Sequence, residues 1–157
     1  MTDASRWTIA LEDVGREDVA RLLSIHEALM RAQSPHASCH VKSADDLVEN
    51  GARLFALREA GDLLALGALV PIGAGHEELK SMHVAQAARG RGVGKSLLVA
   101  MLDDAKSRGI ARISLETGSG ADHAAARAVY AGAGFAPCGP YAGYTDDPLS
   151  TFMTLAI

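Results

Sequence analysis

At 157 residues and 16.4 kDa the chain suits one domain spanning 1–157, long enough to bury a core without disulfides or metal. Its 48% hydrophobic and 22% charged residues exclude a disordered chain. With 15 Lys+Arg against 19 Asp+Glu, the net charge of −4 gives no overall positive field, so neither nucleic acid nor a membrane surface is expected as a partner.

Met1 to Arg6 is polar and lacks the apolar stretch of a signal peptide; the longest apolar run, Leu63 to Ile72, is too short to span a bilayer. A cytoplasmic location is the expectation. Trp7 to Leu11 reads as a strand, and Glu17 to Arg31 as a helix with Val19, Leu22, Leu23, Ile25, Leu29 and Met30 at helical spacing, ended by Pro35. Ser43 suits an N-cap for a short helix Ala44 to Asn50 that Gly51 closes.

Arg53 to Arg58 and Leu63 to Val70 flank a glycine-containing link and read as an antiparallel hairpin. A strand follows at Glu77 to Val84, where Leu79, Met82 and Val84 fail to alternate cleanly, so a bulge is expected. Val93 to Arg108 carries an apolar helical stripe and stops at Gly109. Ile113 to Thr117 reads as a strand, Ala121 to Ala133 as a helix stopped by Gly134, and Phe152 to Ile157 as the last strand. This order predicts an α/β fold with a mixed, largely antiparallel sheet and helices on both faces.

The two cysteines, Cys39 and Cys138, have no paired spacing and are expected as free, buried thiols. His36, Cys39 and His40 cluster in one loop, but no second cluster completes a four-ligand set, so no metal is expected.

The informative stretch is Arg89-Gly90-Arg91-Gly92-Val93-Gly94-Lys95-Ser96, between a strand and a helix. Glycines let the backbone approach a ligand, while the first helical turn points unpaired N–H groups and a partial positive charge at the same spot. That arrangement binds phosphate. The dinucleotide fingerprint would need glycine in place of Lys95, and the Walker pattern glycine in place of Arg89.

Arg89-x-x-Gly92-x-Gly94 resembles the acetyl-CoA loop of the GNAT N-acetyltransferases, and Ala126-x-x-Val129-Tyr130-x-x-x-Gly134-Phe135 is similar to that superfamily's later helix and turn. The resemblance covers Glu78 to Phe135. It implies a sheet whose central strands splay, acetyl-CoA as co-substrate, and amides from Arg89 to Gly94 on its pyrophosphate, with Lys95 and Ser96 beside them. The pantetheine arm would add to the backbone of Met82, His83 and Val84, and His123 stands where the superfamily often has Asn.

The resemblance further implies direct acetyl transfer to an amine of a small molecule or peptide, for which the absence of cysteine from the motif region is suited. Neutralising a lysine-like ammonium at pH 7 costs about 4 to 5 kcal/mol, so a base is needed. Glu78 is the candidate base, with Glu77 as the alternative if the register slips; a strand carboxylate paired with Lys80 or an arginine is the plainer reading of Glu78. Tyr130 stands where the superfamily places a hydroxyl near the leaving sulfur, and it also suits a packing aromatic. The loop through His40 is expected on one side of the acceptor pocket, with Tyr141, Tyr144, Asp146 and Asp147 opposite. His26 and His83 read as packing or solvated residues. A CoA-binding sensor and a homodimer stay open.

Overall fold

In the computed structural model, which describes residues 6–34 and 40–157, one seven-stranded sheet runs through the molecule. The strands are β1 (Trp7–Leu11), β2 (Arg53–Glu59), β3 (Asp62–Gly73), β4 (His76–Val84), β5 (Arg112–Gly118), β6 (Ala136–Cys138) and β7 (Ser150–Ala156), in the order β1-β2-β3-β4-β5-β7-β6. Every neighbouring pair is antiparallel except β4 with β5.

Helices α1 (Glu17–Gln33) and α2 (Ala44–Glu49) cover one face; α3 (Val93–Ser107) and α4 (Ala124–Gly132) cover the other. Covering both faces buries both sets of strand side chains, which explains the continuous apolar runs. In β2, Leu54 packs beneath α1 and α2 while Phe55 and Leu57 pack beneath α3. Ser43 is the N-cap of α2 as expected, and the structure adds a capping box: its hydroxyl accepts from the Asp46 amide at 3.2 Å while its own amide donates to the Asp46 carboxylate. Helix α1 ends at Gln33 with Ser34 as its cap, whereas Pro35, His36 and Cys39 lie outside the described residues. Cys138 is a free, half-buried thiol.

Two elements differ from expectation. The segment from Ala121 starts as a tight 3-10 turn to His123, and only then becomes α4, a common way for a helix to begin. Strand β6 was not foreseen, because it is three residues long and contains Pro137, which only an edge strand tolerates.

The bulge lies in β4. Leu66 pairs with His83 and Ala68 with Lys80, so Gly67 alone opposes Ser81 and Met82, and Ser81 takes a left-handed φ of 56°. The extra residue shifts the alternation. Glu78 and Lys80 sit on the α1 face, and past the bulge it is His83 that joins them against α1.

Candidate active site

Strands β4 and β5 pair only from His76 with Arg112 to Leu79 with Leu115. Beyond that point Lys80 to Val84 and Glu116 to Gly118 part, leaving a fork and an unpaired edge on β4. A cavity of about 590 Å³ fills the fork, and Met82, His83, Val84, Arg89, Gly90, Gly92, Val93, Gly94, Lys95, His123 and Tyr130 all line it. The structure therefore brings together most of the residues singled out from sequence.

At the fork's mouth α3 begins without a side-chain cap, at Gly92 with φ 79°. Glycine is needed there because an L side chain is strained in the left-handed region. The amides of Gly90 to Lys95 have no backbone acceptor among the described residues, so a row of donors faces outward. Two expectations change here. The Ser96 amide donates to the Gly92 carbonyl at 3.1 Å and the Arg89 amide to the Gln86 carbonyl at 3.3 Å, so neither is free. Arg91 turns away: its guanidinium pairs with Glu59 at 2.8 Å and lies over the Trp7 ring. Neither Arg91 nor Ser96 lines the cavity.

Across the fork, the His123 ring lies so close to Gly118 that a Cβ there would collide with it. Its Nε2 is buried without a partner. A buried orphan of this kind is ready for a ligand's amide. Tyr130 is buried against Phe135 and its hydroxyl has no protein partner among the described residues; burial pushes its pKa above the ordinary tyrosine value. The free amides, the orphan Nε2 and the open strand edge together fit a long, phosphate-bearing ligand with amides along its arm.

The carboxylates divide by face. Glu77 points to the α3 side and is held by Arg108 in a fork of 2.8 and 2.9 Å, which removes it as the alternative base. Glu78 is buried on the α1 side, where its Oε2 accepts from the Tyr141 and Tyr144 hydroxyls at 2.8 and 2.7 Å, with Lys80 Nζ at 3.4 Å. It lines a second hollow that adjoins the fork at His40, Val41, Lys42 and Lys80. Of the four residues expected opposite, only Tyr144 lines the hollow; Tyr141 bonds Glu78 from behind, and Tyr141, Asp146 and Asp147 line neither cavity.

Sequence reasoning missed Glu116, a carboxylate inside the fork whose pKa burial pushes up. The available signal was alternation in β5, where Glu116 shares a strand face with the buried Ser114, opposite Ile113 and Leu115. It also undervalued two histidines. His26 of α1 and His83 of β4 are buried in the cavity wall, their Nδ1 atoms 3.0 Å apart. One ring must donate and the other accept, so at least one of the two is neutral in this contact.

Burial, with the neighbouring His83 next, lowers the His26 pKa from 6.5 to about 4; burial likewise lowers that of His83. Between these values the unfolded chain takes up the proton and the folded one does not. The stabilisation is present above pH 6.5 and is lost as pH falls through 4, amounting to about 3 kcal/mol for His26. Urea melts from pH 7 to 4 are expected to record that decline, and His26→Asn to shrink it by more than half.

The Acetyltransferase (GNAT) family model matches residues 19–135. The chain belongs to the GNAT acetyltransferases. It is 35% identical over 146 residues to the uncharacterized N-acetyltransferase YsnE of Bacillus subtilis, covering 93% of this chain and 97% of that one. A solved structure from Klebsiella pneumoniae, described as an acyl-CoA N-acyltransferase, superposes with a TM-score of 0.77 at 26% identity, over 96% of this chain and 97% of that one. A GNAT acetyltransferase from Elizabethkingia anophelis, solved with acetyl-CoA bound, shares the fold at a TM-score of 0.72 and 17% identity, over 97% and 99%. The GNAT fold accounts for the parted β4 and β5 and the uncapped start of α3. Among the described residues no helix is long and apolar enough to cross a membrane.

Proposed function

We propose that this GNAT protein, as one domain over 1–157, moves an acetyl group from acetyl-CoA to a primary amine of a small molecule or peptide by direct attack. The observation that carries the reading is the row of partnerless amides from Gly90 to Lys95 at the mouth of the β4–β5 fork.

These amides hold the pyrophosphate, with the positive end of α3 behind them and the Arg89 and Lys95 side chains adding charge. The free edge of β4 at Met82, His83 and Val84 takes the pantetheine amides, and His123 Nε2 meets the arm from the opposite side. A β4 amide in this stretch stabilises the oxyanion that forms when the amine adds to the thioester carbon.

Glu78, directly or through a water, removes the ammonium proton so that the amine's lone pair can form the new N–C bond. When the C–S bond breaks, its electron pair goes to sulfur, and the second proton on the new amide nitrogen leaves to solvent. Tyr130, kept protonated by burial, donates a hydrogen bond to that thiolate rather than a full proton.

Release of CoA measured over a panel of amino acids, polyamines, aminoglycosides and peptides with acetyl-CoA tests the reading. Turnover with at least one amine is expected. Acetyl-CoA binding with no turnover on any amine would replace the enzyme by a CoA-binding sensor.

A further inference from the structure

The second hollow, of about 460 Å³, opens on the α1 and α2 side of the sheet. Its size suits a small molecule. The floor is apolar, with Leu47, Val70 and Ile72, and the polar wall next to the fork is Glu78 with Lys80.

Resting on the reading above, we infer that the acceptor is a small free α-amino acid with an apolar side chain. Its ammonium faces Glu78, its carboxylate faces Lys80 and Lys42, and its side chain lies on Val70 and Ile72.

The charges on the wall carry this assignment. Glu78 receives both tyrosine hydroxyls and Lys80 on Oε2, whereas Oε1 has no protein donor among the described residues and is not sealed from the hollow. One carboxylate oxygen is therefore left for an incoming ammonium. Lys80 is buried, donates to the Tyr144 hydroxyl at 2.8 Å, and shares Glu78 with two other donors, while Glu116 is a second carboxylate that acts on it from the fork.

Lys42 lines the same two cavities and adds a second positive charge where they join. Burial holds the Lys80 ammonium below the ordinary lysine value, and Lys42 acts in the same direction, so an added anion relieves both. A bare amine would compete with Lys80 for Glu78 and leave Lys42 unanswered; a bare acid would answer the lysines and leave Glu78 Oε1 without a donor. A carboxylate next to an amine answers both, and a peptide N-terminus, whose carboxyl is an amide, does not.

The test compares kcat/KM for leucine, methionine and phenylalanine, each against its amide, at saturating acetyl-CoA and pH 7. The amide's amine is the less basic, so more of it is neutral and the comparison is biased against the inference. The free acids are expected to be preferred by about thirtyfold, the scale of one charged hydrogen bond. Lys80→Met is expected to bring each pair within threefold. Lys42→Ser, at an exposed residue whose loss does not threaten the fold, is expected to narrow the gap severalfold.

Equal rates for acid and amide, or a preference that survives both substitutions, overturns the inference. Turnover of other amines without any of these amino acids overturns it and leaves the acetyltransferase reading standing. No turnover of any amine fells both.

Discussion

Glu78→Gln is expected to lower kcat by about 100- to 1,000-fold while acetyl-CoA binds as before, the range for removing a positioned proton acceptor. Glutamine has the same shape, and its carbonyl oxygen still accepts from Tyr141 and Tyr144. The substitution therefore removes charge and basicity with little disturbance of the wall. Single-turnover acetylation reports the chemical step, and calorimetry with acetyl-CoA reports the fork separately. A rate within threefold of the parent would show that Glu78 only holds the two tyrosines and Lys80 in place.

Gly94→Asp tests the other half of the site. Gly94 is the second residue of α3, its amide is among the partnerless row, and a Cβ there would stand 3.2 Å from Val84 Cγ2. A carboxylate at this point puts negative charge where the pyrophosphate is proposed to lie. We expect affinity for CoA to fall by more than about 100-fold, near 3 kcal/mol. The same carboxylate complements the positive end of the helix, so the fold is not expected to suffer. Unchanged melting with lost affinity is the expected pair of results; affinity within threefold of the parent would mean the phosphates sit elsewhere.

Much of the architecture was legible along the chain because local rules and burial agree. Ser43 caps α2 as expected of a serine before a short helix, the apolar stripe of α3 faces the sheet, and the lapse in alternation at Met82 is the bulge. The phosphate loop was legible for the same reason: glycine conformations and helix-start amides are properties of the backbone over eight neighbouring residues. Strand β6 escaped because Pro137 argues against a strand unless its edge position is known.

The side chains of the site were less legible, since their partners are remote in sequence. The Arg91 amide stays in the outward row, yet Glu59 and Trp7 of the neighbouring strands hold its guanidinium away from the loop. Glu77 and Glu78 are adjacent and chemically alike, and only the pleat of β4 sends one to Arg108 and the other to Tyr141 and Tyr144. The contact of His26 with His83 spans 57 residues and depends on the extra residue in β4 that turns His83 toward α1.

By itself the sequence determined the element order apart from β6, the two-faced sheet and the glycine loop between β4 and α3, because periodicity, caps and left-handed turns are encoded over a few residues. Tertiary structure alone decided which carboxylate faces the acceptor side, which loop amides stay free, and where β4 and β5 part. Those outcomes depend on register and on charges that meet only when distant segments pack together.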